Sequence, residues 1–590
     1  MAMNALYWLV VGVALYWLVV AVLRARGLLP SYIGVRGPVL TVHTKRGKVL
    51  LERLARPRRF WRAWSNFGLG IALVVMVGTF LLLLVQAVLV LQNPPPVTPA
   101  NQPQNVLVIP GVNQFLPLDV APEIVLGLLL GLVVHEGGHG LLCRVEDIDI
   151  ASMGVVLFTI IPIGAFVEPD EEAQQAADRG SRSRMFAAGV TNNFALTIVA
   201  FALLFGPVVG SIAVAPGAAV GGVIPGSPAD HAGVARGDRI VAVQGHQIGA
   251  NADLQATLVD IQAQTVPVTL ADGRTVDIQR SLLVSGVVEG SPFAGTVGVN
   301  QTIAAVNGTS VHTGQGFEAA LKNRTVATMT NGQGESVTGP VGAYVQAQSG
   351  GPAATAGMPT ETPVVVTAVD GQRTVSSDDL TRVLDGTSPG QQVSVRAVVD
   401  GTPRTYNVTL GSANGGQKGF LGVQVYPGVS GLTVNDFGTE LYPAGAFLDI
   451  LGQGGQGGLV GFLRRVAQVL VLPFASFIFP ALGYNFAGFV GWNADFFVVQ
   501  GPLGVAGSAT FFLANVLFWT GWVNLNLGLF NCIPAFPLDG GRLLRMGVEA
   551  IVARLPVEQG ENLVRTVTTG VGLLMLTSLI LMVFGPQLLN

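Results

Sequence analysis

Two of the chain's six histidines stand four residues apart, in His135-Glu136-Gly137-Gly138-His139. On a helix that spacing puts both imidazoles on one face, so they can reach one Zn²⁺. Glu136 then lies beside the metal, placed to take a proton from its water. A catalytic zinc normally takes three protein ligands and leaves one position for water. The run Asn531-Cys532-Ile533-Pro534-Ala535-Phe536-Pro537-Leu538-Asp539-Gly540-Gly541 offers Asp539 as the candidate third ligand. Cys532 is the rival, a soft ligand that zinc also accepts. Cys143, the other cysteine, follows His139 by one turn and is read as packing.

The elements that must carry these residues are apolar. The 590 residues are 50% hydrophobic and 11% charged, with net charge −3, against about 25% charge in an ordinary soluble protein. This excludes a soluble enzyme, a disordered chain and a basic nucleic-acid binder, so no nucleic-acid partner is expected. A bilayer span needs about 20 apolar residues. Segments 4–23, 66–92, 184–209 and 565–587 meet that length. Segment 122–143 does so with His135, Glu136 and His139 inside it, and ionisable residues in a span are functional by default. Segment 503–530 is apolar but Gly-rich and runs into Asn524, Asn526 and Asn531. Pro534 and Pro537 forbid a regular helix after it, and such backbone is tolerated at membrane depth only when buried or lining a cavity.

Residues 24–65 hold eleven Lys/Arg and one acid, Glu52, whereas 93–121 hold no Lys or Arg. The positive-inside rule puts the first inside and the second outside. Residues 144–183 and 531–564 then fall inside and 210–457 outside, the last carrying N-x-S/T sites at Asn300, Asn307, Asn323 and Asn407. Segment 458–482 is apolar but begins with Arg464 and Arg465 close to its start. A span there would carry Asp539 to the outer face, so 458–500 is read as interfacial or re-entrant.

From about 212 to 426 the composition shifts to Gly, Thr and Val, and one pattern recurs at 221–248, 285–311 and 343–375. It reads as strand, Gly turn, short Ala-Gly helix, strand, turn, strand. The residues Gly226-Ser227-Pro228-Ala229, Gly237-Asp238 and Val243-Gln244-Gly245 resemble PDZ domains of the bacterial and archaeal protease type. Two PDZ-like units are expected, the second stretch being shared between its neighbours because Val299-Asn300 replaces the usual Gly-Asp. PDZ domains bind peptides by adding a strand to a sheet edge. Gly419-Phe420-Leu421-Gly422 reads either as a plain turn or as a loop that offers backbone N–H groups to a peptide carboxylate.

HEGGH in one span and NCIPAFPLDGG at another, with PDZ-like units between, resemble the site-2 protease family of intramembrane zinc metalloproteases, peptidase family M50. Ile160-Ile161-Pro162-Ile163-Gly164-Ala165-Phe166-Val167-Glu168 resembles its membrane-embedded strand segment. Gly189-Val190-Thr191-Asn192-Asn193-Phe194 resembles its G-x-x-x-N element, with Val190 at a frequent proline, and Gly501-Pro502-Leu503-Gly504 its G-P-x-G segment. The resemblance implies one Zn²⁺ per chain on His135, His139 and Asp539, Glu136 as catalyst, and Asn193 beside the substrate carbonyl. It implies cleavage within transmembrane helices of single-pass membrane proteins, with an upstream site-1-type protease as a possible partner in regulated proteolysis.

The expected fold is a polytopic α-helical membrane protein of about six spans, with a membrane-embedded β segment and an extracytoplasmic β-rich PDZ-like region. Its divisions are 1–65 (first span and basic cytoplasmic segment), 66–121 (second span and outer loop), 122–211 (first part of the catalytic core), 212–426 (PDZ-like tandem), 427–502 (interfacial insert) and 503–590 (second part of the core). The active site is expected toward the cytoplasm, kept wet by Glu168, Asp170, Glu171 and Glu172. The competing reading is a catalytically inactive membrane PDZ binding protein, for which a broken zinc motif would speak. A transporter would show repeated halves, and none is visible.

Overall fold

The computed structural model describes residues 2–30, 32–36, 39–44, 46–98, 101–106, 109–113, 115–159, 161–412, 416–453, 458–479, 482–556 and 559–589. They fall into two compact units. One comprises Met1–Ala213, Gly445–Ala494 and Val498–Asn590, the other Val214–Ala444 with Asp495–Phe497.

The first unit is built from helices α1 (Ala2–Ala25), α2 (Arg58–Gln92), α3 (Ala121–Val145), α4 (Arg179–Leu203), α5 (Gly458–Val471), α6 (Ser508–Asn531), α7 (Asp539–Val552) and α8 (Gly560–Leu589). Among the described residues, five helical stretches are long and apolar enough to cross a membrane: Arg58–Gln92, Leu118–Val145, Arg179–Ser211, Gly458–Ile478 and Gly560–Leu589. Four of them contain expected spans. The fifth is the stretch read as interfacial or re-entrant, and its helix gives way to a 3₁₀ turn, Leu472–Phe474, around Pro473. The expected span 503–530 is helical as α6 but is not among the five, since Asn515, Asn524, Asn526 and Asn531 lower its apolarity. In the first expected span only Val11–Ala25 registers, as a shorter apolar helix.

Helix α6 is an interior helix, with Trp519 and Asn524 fully buried. One side meets α3 closely enough that a Cβ on Gly127 would lie 2.9 Å from the Thr520 backbone N, so only glycine fits. Asn515, Trp519 and Trp522 bond the segment that follows residue 458. Trp522 Nε1 donates to Leu470 O at 3.0 Å, Trp519 Nε1 to Ala487 O at 2.9 Å and Asn515 Nδ2 to Phe489 O at 3.1 Å. Leu141, Leu142 and Cys143 of α3 pack in one core with Met185, Phe186 and Ala188 of α4, with Leu543 of α7, and with Cys532 just after α6. Cys143 therefore packs, as expected from the sequence.

A four-stranded antiparallel sheet runs in the order β1 (Ile33–Arg36), β2 (Val39–His43), β3 (Ile150–Phe158), β4 (Ile161–Pro169). The hairpin of β1 and β2 gave no sequence motif, yet Leu40 pairs with Leu157 and Val42 with Val155. Segments 33–43 and 150–158, distant in the chain, are therefore joined in one sheet. Ile160, part of the embedded-strand resemblance, lies outside the described residues.

The second unit holds three six-stranded sheets of one strand order. Their opening strands are β5 (Ala218–Val223), β6 (Leu282–Val287) and β7 (Ala343–Ala347). Their closing edge strands are β8 (Val423–Tyr426), β9 (Leu432–Asn435) and β10 (Thr439–Leu441). Strand β8 closes the sheet of β7, β9 that of β6 and β10 that of β5, so each module is inserted into the one before. One hydrogen bond recurs in all three: Gln348 N to Gly422 O at 2.9 Å, Val288 N to Gly431 O at 2.8 Å and Ile224 N to Gly438 O at 2.9 Å.

This corrects two expectations. The stretch 285–311 is not shared between neighbours but has a sheet of its own. The β-rich region does not end at 426, because 429–441 supplies the strands that close the first two modules. A module whose last strand lies well over a hundred residues after its first shows no complete local repeat.

Candidate metal centre

The centre assembles from three helices. Helix α3 presents His135 and His139 one turn apart, both buried. Asp539 opens α7 directly after the non-helical run 532–538 that the prolines enforce. His135 Nε2 lies 3.2 Å from Asp539 Oδ2, and His139 Nε2 lies 3.3 Å from it. The two Nε2 atoms are 3.2 Å apart. With zinc–ligand bonds of 2.0–2.1 Å, the edge of a tetrahedron is about 3.3 Å, so these separations fit three corners of one.

The surroundings fit as well. His139 Nδ1 lies 2.8 Å from the Met185 carbonyl, which accepts its proton and leaves Nε2 as the free ligand atom. His135 Nδ1 lies 3.1 Å from the Asn193 amide. Carbonyl and amine of an amide exchange by a flip, and a ring that ligates through Nε2 carries its proton on Nδ1. With a metal on Nε2, the flipped Asn193 amide would present its carbonyl, otherwise buried without a partner, to that proton. Asp539 Oδ2 is buried and receives no hydrogen bond, although both imidazoles face it. Three ligand atoms converging at these distances on one point fit a bound cation. His135, His139 and Asp539 are also the cluster of His, Cys and carboxylate ligand atoms that gathers within 4.8 Å among the described residues. Cys532, the rival ligand, is buried in the apolar core instead.

Helix α4 forms the third wall. A Cβ on Gly189 would lie 2.6 Å from His139 Nε2 and 2.8 Å from His135 Nε2, so the backbone there must be bare. Glu136 is half-buried, and its Oε2 accepts a 3.0 Å hydrogen bond from the Val167 backbone N–H on β4.

Asn193 departs from its expected place. It is fully buried behind His135, on the ring nitrogen that faces away from Asp539. Its amide faces that ring, and Asn193 is not among the residues that line the cavity beside the centre. The i+58 separation of Asn193 from His135 in the chain carries no periodicity that would reveal this contact.

His135, Glu136, His139 and Asp539 open onto a cavity of about 1630 Å³. Val167 and Pro169 of β4, Asn531 at the end of α6, and Thr568 and Gly572 of α8 also line it. Its charged lining is Arg182, Arg542, Arg545, Glu549, Glu561 and Arg565, not the four acids expected at the entrance. Arg545 is paired with Glu549 at 2.9 Å and Glu561 at 2.8 Å. Asp170 instead caps a short helix through the Ala173 N–H at 2.9 Å. Arginines spread over α4, α7 and α8 come together only in three dimensions.

Comparison with known proteins places this geometry. Residues 123–577 match the model of peptidase family M50. An uncharacterized protein of Methanocaldococcus jannaschii is 30% identical over 181 residues, 30% of this chain and 45% of that protein. Zinc metalloprotease RasP of Oceanobacillus iheyensis is 33% identical over 87 residues, 14% of this chain and 20% of the relative. The protein of the same name from Shouchella clausii is 26% identical over 223 residues, 37% and 45% of the two chains. The chain thus spans less than half the length of each of these relatives. The family match extends over most of the chain and takes in both halves of the His135/His139/Asp539 centre, and the chain belongs to peptidase family M50.

Proposed function

We propose that this chain is an intramembrane zinc metalloprotease that hydrolyses peptide bonds within transmembrane helices of single-pass membrane proteins. The observation that carries the reading is the convergence of His135 Nε2, His139 Nε2 and Asp539 Oδ2 within 3.3 Å of one another, beside Glu136 and open to a cavity. The family and the zinc metalloprotease relatives support it. An inactive PDZ binder would not need to keep this set intact.

His135, His139 and Asp539 would hold one Zn²⁺ per chain. When bound, the ion supplies Lewis acidity, lowering the pKa of a water to about 7 and polarising a carbonyl. Glu136 accepts the proton of the attacking water on its carboxylate and returns it to the leaving amine. Met185 O and Asn193 keep both imidazoles turned with Nε2 toward Asp539. A substrate helix hides its own peptide bonds, so it must unwind locally. Strand β4 ends the membrane sheet and can receive the unwound segment by strand addition.

The positive-inside rule puts the centre toward the cytoplasm and the three β modules outside, as PDZ-like units that screen substrates. They would exclude bulky ectodomains or capture a C-terminus left by an upstream site-1-type protease. Excising Val214–Ala444 as a whole tests the screen, since a cut at 426 would strand β9 and β10. Full-ectodomain substrates that stay resistant after this excision contradict screening. The protease reading is tested by comparing membrane-protein fragments in cells that carry wild type or Glu136→Gln. Fragments that appear only with wild type are expected, and identical patterns contradict it.

A further inference from the structure

We propose that the backbone N–H of Val167 is the positioning group for Glu136, and that an extended substrate strand takes this N–H over and so releases the carboxylate for proton transfer. The inference rests on the protease reading and specifies how its base is readied.

Glu136 Oε2 sits 3.0 Å from Val167 N. Val167 belongs to β4, which pairs with β3 alone among the described strands, Val167 lying opposite Met153. An edge strand turns the N–H and C=O of every second residue away from its neighbour. Val167 is one of those residues, because its N–H goes to Glu136. By the same alternation Ala165 turns its backbone groups outward too.

A strand that adds to β4 needs the outward N–H groups as donors to its own carbonyls. The Val167 N–H is already taken by Glu136, so docking and the resting contact compete for one hydrogen. Val167 and Glu136 both line the cavity beside the ligand residues, so this competition takes place where a scissile bond would lie. While it bonds the strand, Oε2 is turned toward β4. Loss of that hydrogen bond lets the carboxylate turn, so that either oxygen can meet a water proton. Substrate pairing therefore couples correct docking to release of the base, and an empty site holds Glu136 parked.

The test uses the full-length zinc-loaded protein with two probes. One is a transmembrane peptide long enough to pair along β4, and the other a flexible tetrapeptide too short to do so. Val167→Pro removes the N–H at a position where an edge strand tolerates proline. Val167→Ala keeps the N–H and controls for the lost side chain, and Ala165→Pro removes only a docking N–H. The expected result for Val167→Pro is a kcat on the tetrapeptide about threefold or more above wild type, a KM on the transmembrane peptide about tenfold higher, and unchanged zinc content. Ala165→Pro raises that KM without raising kcat on the tetrapeptide, and Val167→Ala, which keeps the N–H, likewise shows no rise in tetrapeptide kcat. A Val167→Pro chain that binds zinc and is slower than, or equal to, wild type on the tetrapeptide overturns the proposal.

Amide hydrogen exchange supplies an arm that does not depend on proline being tolerated. The Val167 amide should exchange about tenfold faster in Glu136→Ala and regain protection when the transmembrane peptide is added. Exchange unchanged by Glu136→Ala, or not slowed by the peptide, overturns it as well. If the protease reading itself fails, wild type cleaves neither probe, while the exchange arm still reports on the Val167–Glu136 contact.

Discussion

Asn193 stands behind His135, its amide 3.1 Å from the ring Nδ1, so the residue that fixes the imidazole is on α4 while the ligand is on α3. Partners of this kind are worth about 10–100-fold in metal affinity. Asn193→Leu should lower zinc affinity by about that factor, and Asn193→Asp, which keeps a carbonyl-like acceptor, should lower it less. Competition with a chromophoric chelator measures both. Equal affinity in Asn193→Leu and wild type would remove the orienting role.

Gly189 is predicted to tolerate no side chain. In Gly189→Ala the new methyl meets two imidazoles at 2.6–2.8 Å, a crowding that costs about 1–3 kcal/mol or displaces the rings. Zinc binding should fall at least about tenfold and cleavage with it. Metal content after dialysis is the measurement, and a zinc-replete, active Gly189→Ala chain would contradict the geometry.

Glu146, just past the end of α3, is a pH-dependent clamp. Burial pushes its carboxyl pKa up, but hydrogen bonds from Arg184 at 2.8 Å, Arg62 at 3.1 Å and Ser181 at 2.9 Å outweigh this, and the pKa lies below the usual carboxylate range. A carboxyl depressed in the folded state stabilises above its unfolded pKa, about 4.3, and that stabilisation is lost as pH falls. Glu146→Gln should therefore cost about 1–3 kcal/mol at neutral pH. The gap to wild type should close as pH drops below about 4. Thermal unfolding in detergent across pH reads this, and a gap independent of pH would contradict it.

The β modules should unfold from their closing run. Arg280 is buried and paired with Asp436, between β9 and β10, and Asp436 Oδ2 also accepts from Gly314 N at 2.8 Å. Removing one partner of a buried pair costs about 3–5 kcal/mol. Asp436→Ala should therefore loosen the first two modules together, seen as matched loss of exchange protection in β5 and β6. Protection lost in one module alone would argue against the nesting.

Much of this site was legible in the sequence, for physical reasons. The i, i+4 spacing of His135 and His139 is a helix rule, and Asp539 stands out because prolines must break the chain before it. The outward face of the site was not. Asn193 resembled a family element, yet its direction is set by helix packing that no periodicity encodes. The acids at 168–172 suggested a wet entrance, whereas the cavity wall takes arginines from α4, α7 and α8. Strands β9 and β10, within 432–441, close the first two modules only after the modules nested inside them, and Val299-Asn300 in place of Gly-Asp made the second copy look incomplete. The 33–43 hairpin was missed because nine residues at a sheet edge carry no signature beyond alternation.

The most direct measurement is zinc content and peptide-bond cleavage determined side by side on wild type, Glu136→Gln and Asp539→Ala. The expected outcome is one zinc per chain with cleavage in wild type, one zinc without cleavage in Glu136→Gln, and neither in Asp539→Ala. Full zinc retention by Asp539→Ala, or cleavage by Glu136→Gln at the wild-type rate, would contradict the account.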